Sequence, residues 1–170
     1  MSVTLVETIT IGSGGAASAT FSSIPQDAVD LQVLISVRCG TPTVASDGYI
    51  YLNGDQGKTQ SSQSLRGTGS GITTSLFVAD NFAMRVSMPG TSSTASTFGN
   101  ASIYVSNYAS TGMHKTFSID NATENNGTAA NAEIRAGIWS SNNAITSLTV
   151  ANGNNLLEHS VMSLYKITAD

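Results

Sequence analysis

The chain is short of charge. Of its 170 residues only 11% are Asp, Glu, Lys or Arg, under half of the roughly 25% found in an ordinary soluble domain. The seven basic residues never cluster. Binding nucleic acid needs concentrated positive charge to release phosphate counterions, so a DNA or RNA partner is excluded as an expectation. Cysteine is nearly absent. The single thiol, Cys39, rules out an intrachain disulfide framework and reads as a small buried apolar side chain. With His114 and His159 far from it and from each other, the zinc-ligand spacing is also missing. No apolar run approaches the roughly 20 residues of a membrane-spanning helix. The opening residues 1–7 carry no basic segment followed by an apolar run, so a cytoplasmic origin without export signal is expected. The glycosylation sequons at Asn100, Asn121 and Asn126 then read as chance matches in an Asn-rich chain.

What is abundant is hydroxyl and amide. Ser, Thr and Asn fill roughly a third of the chain, a usage that suits strand faces and turns better than helix interiors. The hydrophobic residues alternate. Val3, Leu5, Ile9 and Ile11 share one parity before the glycine-rich residues 12–15, and Ala17, Ala19 and Phe21 continue as a short partner strand. Val29, Leu31, Val33, Ile35 and Val37 give the longest clean period of two and predict a central strand. Residues 47–52 end at Asn53-Gly54, the dipeptide that supplies two positive φ values in a type I′ turn, so a hairpin is expected there. Residues 56–71 read as loop or weak edge strand, and residues 72–96 as a stretch with room for either a short helix or an irregular crossing. Residues 98–107, 114–120 and 132–139 are further strands, with a turn around Asn126-Gly127. The chain closes with strands at 144–150 and 160–168, separated by the Asn-rich residues 151–155. Short strands with short polar connections predict an all-β chain, an antiparallel, jelly-roll-like β-sandwich forming one domain over residues 1–170.

Chemistry is harder to find than architecture. Residues 12–17 follow a strand but lack the helix that a dinucleotide-binding turn requires. In Gly67-Thr-Gly-Ser-Gly71 the serine is displaced by one position from a nucleophile elbow. His114 and His159 have no local nucleophile beside them, and Asp120 with Glu124 lacks the order of a calcium loop. Tyr49, Tyr51, Tyr104, Tyr108 and Trp139 are read as core and edge packing rather than a sugar-stacking platform. No catalytic residue, metal or cofactor is therefore expected. The segment with most interest is apolar: Phe77, Phe82, Met84 and Met88, if exposed together, would form a partner-contact patch.

Residues 21–26 leading into 29–37, residues 52–57, Trp139 with residues 144–148, and the ending 160–167 together carry a resemblance. The chain resembles small β-rich virion structural proteins of marine and cyanobacterial tailed bacteriophages. The resemblance implies a non-enzymatic particle protein, most naturally a capsid decoration protein that binds the major capsid protein and itself as a homotrimer, and is located in the virion. The alternative it leaves open is a receptor-binding fibre or tail-tip domain recognising host glycans. A small hydrolase using His114 or His159 is a third class with little in the sequence behind it.

Overall fold

In the computed structural model, residues 1–124 and 130–169 are described, and they contain twelve strands and no helix. The strands are β1 (Ser2–Thr10), β2 (Ala16–Phe21), β3 (Asp30–Val37), β4 (Ala45–Leu52), β5 (Gln60–Gly67), β6 (Ile72–Asp80), β7 (Arg85–Pro89), β8 (Gly99–Val105), β9 (Lys115–Thr123), β10 (Asn131–Trp139), β11 (Leu148–Leu156) and β12 (Val161–Thr168). They form two antiparallel sheets. The large one runs β1-β12-β3-β8-β9-β10-β5-β6 and the small one β2-β11-β4-β7. The protein is an all-β sandwich.

The pairing is nested. β1 pairs with β12, β2 with β11, β3 with β8 and β4 with β7, so the chain folds back on itself as one long hairpin wrapped between two sheets. Two further hairpins extend the large sheet: β5–β6 lies between β4 and β7 in sequence, and β9–β10 between β8 and β11.

Alternation places the core. Leu31, Val33, Ile35 and Val37 of β3 are buried and meet Val105, Ile103, Ala101 and Gly99 of β8 in register. Ile50 and Leu52 of β4 with Leu148 and Val150 of β11 supply the facing sheet, and Trp139 closes one end. The Trp139 indole donates to Asp55 Oδ2 at 2.8 Å, which satisfies its single polar atom. Met162 and Leu164 of β12 are fully buried while Val161, Ser163 and Tyr165 on the other face are half-buried.

At one end of the sandwich the β1–β2, β3–β4, β7–β8 and β11–β12 connections meet around Arg38. Its guanidinium donates to the backbone oxygens of Thr94 (2.7 Å), Thr97 (2.9 Å) and Ser93 (3.2 Å), and its own amide donates to Ser160 Oγ (3.1 Å). Arg38 thus ties three connections together, its side chain holding residues 93–97 and its backbone amide holding Ser160.

Several expectations are corrected. Asn53 and Gly54 do take positive φ (54° and 66°), and the Asp55 amide bonds Leu52 O at 3.0 Å, yet no hairpin follows. The Asn53 side chain is spent on residues 144–147 instead: its Oδ1 accepts from the Thr146 and Ser147 amides and its Nδ2 donates to Ala144 O. The chain then crosses to the far side of the other sheet. Residues 60–67, expected as loop or weak edge, form an interior strand between β10 and β6. Residues 72–96 contain no helix but β6 and β7. β1 and β2 are in different sheets, as are β11 and β12, and the Asn-rich residues 151–155 belong to β11, whose pairing shifts register there. The turn expected at Asn126-Gly127, and the sequon at Asn126, lie outside the described residues.

Ile103 stands mid-sheet, fully buried, between Val33 and Ile119. Ile103→Ala is expected to lower stability by about 2–5 kcal/mol, the usual range for emptying a buried aliphatic site. Urea denaturation at constant m-value checks it; a loss under 1 kcal/mol contradicts this placement of the core.

Candidate functional site: an exposed apolar edge over a buried ion cluster

The outer half of the large sheet is where the structure departs from an ordinary sandwich. On β5, residues 60, 62 and 64 point inward and are buried, but they are Gln60, Ser62 and Ser64 rather than aliphatic. β10 likewise turns Glu133 and Arg135 inward. These polar groups pack towards β4 and β7: Gln60 Oε1 accepts from the Met84 amide (2.9 Å), and Ser62 Oγ donates to Ala83 O (2.7 Å).

Charges complete the layer. Arg66 donates to Glu133 Oε2 through Nε (2.9 Å) and Nη2 (2.7 Å), and Arg135 Nη2 donates to Glu133 Oε1 (2.5 Å). Asp47 pairs with Arg85 at 3.0 Å and reaches Arg66 at 3.9 Å. The Arg85 guanidinium lies 4.0 Å from the Phe77 ring centre, and that of Arg135 lies 5.4 Å from it. Burial pushes the Glu133 carboxyl up, but the Arg66 hydrogen bond and the Arg135 and Arg66 charges outweigh it and hold the group below the usual range. Arg135 is pulled below its ordinary value, chiefly by burial. Its Nε finds no acceptor among the described residues. All of this reads as a structural cluster, since its carboxylates are consumed by the arginines beside them.

The four residues expected as a partner patch do not share a surface. Met84 and Met88 are fully buried, Met88 running under Gly48, where an added Cβ would lie 2.0 Å from its Cε. They offer nothing to a partner in this fold. Phe77 and Phe82 are half-buried; Phe77 sits beneath the arginines and Phe82 packs on Tyr49 with ring centres 4.6 Å apart. The physical reason is parity: residues 73, 75 and 77 of β6 face inward, and residues 72, 74, 76 and 78 face out.

It is the opposite parity that is exposed. Ile72 (73%), Leu76 (69%) and Val78 (68%) stand on the outer face of β6, beside Leu65 (45%) of β5 and Ile134 (58%) of β10. Register aligns them: Ile134 faces Leu65 and Leu65 faces Thr74, while Ala136, Gln63 and Leu76 form the next row. A shallow groove of about 520 Å³ runs between these rows. β6 is also the terminal strand of the sheet, exposed along nearly its whole length.

The remaining candidates are dispersed. His114 and His159 are both exposed and stand on separate connections. His159 (φ 71°) lines an open cleft of about 480 Å³ with Glu158 and Phe98. Arg38 also borders it, but its guanidinium is spent on the carbonyls described above. Tyr108 and Trp139 are core residues, the Tyr108 hydroxyl donating to Pro25 O, so the five aromatics do not assemble into a platform. Asn121 is buried, with its amide bonded to Ser87 and Asn100, which removes it as a glycosylation acceptor. Among the described residues no three His, Cys, Asp or Glu side chains come together as a metal site.

Comparisons with protein-family models, curated proteins and solved structures find no match. The class is therefore defined by architecture alone: a two-sheet antiparallel β-sandwich whose larger sheet ends in an uncovered apolar strand.

Glu133→Gln leaves Arg135 and Arg66 without their shared counter-charge, and breaking a buried pair in this way costs about 3–5 kcal/mol. Because the folded carboxyl titrates below its unfolded value, the contribution is full above an unfolded pKa of about 4.3 and fades as the pH falls through the lower folded value. Chemical denaturation of both proteins should show the full gap at pH 7 and a shrinking one in acid. An equal gap at all pH values would contradict it.

Proposed function

We propose that this protein is a structural component of a tailed-bacteriophage particle, most specifically a decoration protein that binds the major capsid protein on the head shell. The observation that carries the reading is the apolar strip of Ile72, Leu76, Val78, Leu65 and Ile134 on the outer face of the large sheet, with Asp120 beside Ile134 at its rim. Contiguous exposed apolar surface on a well-packed domain ordinarily marks a protein interface. The nested strand order supports the finer fold reading as well. Strands β1-β12-β3-β8 set against β2-β11-β4-β7 follow the winding of a jelly roll, an architecture used by viral capsid and lectin domains. Under this reading the β5–β6 and β9–β10 hairpins are additions to one sheet of that roll, and the assembly strip lies on the additions.

The mechanism is mass action. A protein that buries its apolar strip across neighbouring capsid subunits binds the assembled lattice better than free subunits, and so stabilises the shell in proportion to its occupancy. The low charge fits such a role, because little ionic hydration has to be stripped from the contact.

The test is binding of the purified protein to expanded capsids of its own phage, followed by heating. Saturable binding with a copy number in the hundreds and a raised shell-disruption temperature is expected, and Leu65→Asp with Ile134→Asp should abolish both. Absence from the head, with about a dozen copies or fewer at the tail, would replace the decoration role with the fibre or tail-tip role.

A further inference from the structure

We propose that two copies of this chain pair through β6, edge to edge and antiparallel, across a two-fold axis at Ser75.

The argument starts from the backbone. Within the β5–β6 hairpin the Thr68 amide donates to Gly71 O at 3.0 Å, so this pair is a hydrogen-bonded one. Alternation along an antiparallel ladder then makes Arg66–Thr73, Ser64–Ser75 and Ser62–Phe77 the bonded pairs. The N–H and C=O groups of Ile72, Thr74, Leu76 and Val78 therefore point the other way, off the free edge of the sheet. These are the residues whose side chains form the exposed apolar row.

Natural sheets protect such an edge with charge, proline or a bulge. The opposite edge of this sheet does so: β1 carries a register shift between Leu5 and Glu7 and the exposed charge of Glu7 itself. β6 has no lysine, arginine or proline, and its one charge, Asp80, stands at the strand end beyond an irregularity opposite residues 60–62. From residue 72 to residue 77 the edge is regular, uncharged and open.

That segment complements itself. With the axis at Ser75, Thr74 of one copy lies opposite Leu76 of the other, and Ile72 opposite Val78, so all four outward backbone positions find partners together. On the outer face Ile72 then meets Val78 as an aliphatic cross-strand pair, and the Thr74 methyl meets Leu76. Asp80 of each copy falls outside the paired segment, so no like charges meet. Pairing β6 with the β1 edge of another copy would instead leave a free edge at each end and propagate a filament; the two-fold contact is isologous and closes. A dimer of this form is set against the trimer that the phage resemblance implies, and it holds whether or not the capsid role does.

The contact is a short strand pair, at the small end of stable interfaces, so association is expected to be weak and to rise with protein concentration. Light scattering of the free protein should give twice the 17.5 kDa chain mass. Thr74→Pro removes an amide that the domain itself does not use, a position where an edge strand tolerates proline. It should remain folded and become monomeric, and Leu76→Lys should do the same. Ser75→Cys places two thiols across a non-bonded antiparallel pair, where Cα atoms about 4.5 Å apart suit a disulfide. Mild oxidation should convert it to a covalent dimer, while Ser70→Cys, at the hairpin turn, should stay uncrosslinked. The native Cys39 is fully buried and does not interfere. A wild-type protein that is monomeric at all concentrations with no Ser75→Cys crosslink overturns the proposal. So does a dimer that survives both Thr74→Pro and Leu76→Lys, or a Ser70→Cys protein that crosslinks as readily. None of these measurements involves the capsid, so loss of the decoration role and loss of the dimer are separately readable.

Discussion

An eight-stranded sheet packs here against a four-stranded one, and most of the molecule follows from that mismatch. On β3, β8 and β12 the inward residues are aliphatic or small, and they pack in one core with those of β4 and β11. Beyond it the large sheet still has an inner face, on β10, β5 and β6, that no second sheet fully covers. The sequence places Ser62, Ser64, Glu133 and Arg135 there, and closes the layer with hydrogen bonds to Ala83, just before β7, and paired charge that reaches Asp47 of β4. A buried ion pair is weak evidence for stability in itself. Here it fixes how the β5–β6 hairpin sits on the sandwich, because Arg66, Glu133 and Asp47 come from three different strands across both sheets.

The same side-chain parity decides what the hairpin shows to the outside. Phe77, the β6 residue that meets the arginines, is turned in, and three of the four residues turned out, Ile72, Leu76 and Val78, are aliphatic. An outer face built from serine or threonine would have served a solitary sheet equally well. The concentration of Ile72, Leu76, Val78, Leu65 and Ile134 on one side is what the proposed contacts rest on. At the opposite end Arg38 works by different means, holding connections together with charge-assisted bonds to carbonyls in a region with no regular structure to do so.

Sequence reasoning reached the strands whose alternation is strict. Residues 29–37 announce β3, and the burial of β9 alternates residue by residue as its sequence does. It failed where the inward residues are polar. β5 reads QSSQSLRG, and nothing in that composition separates an interior strand from a loop, because its burial is made favourable by groups distant in sequence such as Ala83 and Glu133. It failed again at Asn53-Gly54, where the local turn geometry was legible and the destination of the chain was not. Strand pairing is non-local, so a turn does not fix its own neighbours once a side chain such as Asn53 can bind residues 144–147 instead. For the apolar segment the sequence located the right stretch and chose the wrong parity: the aromatics and methionines drew attention, while Ile72, Leu76 and Val78 hold the surface. The missed signal was Thr68-Gly-Ser-Gly71, a two-residue turn with glycine at the first central position, which would have made 60–67 and 72–80 a hairpin and assigned the faces.

The nested strand order also has a kinetic side. Its outermost pair joins residues as distant as Ser2 and Thr168, whereas β5 and β6 are joined by a two-residue turn. Closing long loops before any contact rewards them is slow, and hairpins form in microseconds. The expected order of events therefore runs outward from β5–β6 to β1–β12, so the stickiest strand exists while much of the core is still open. A newly made chain has to bury its interior faster than it meets a neighbour, and the rate of synthesis, as much as the native contacts, sets how much of it arrives folded.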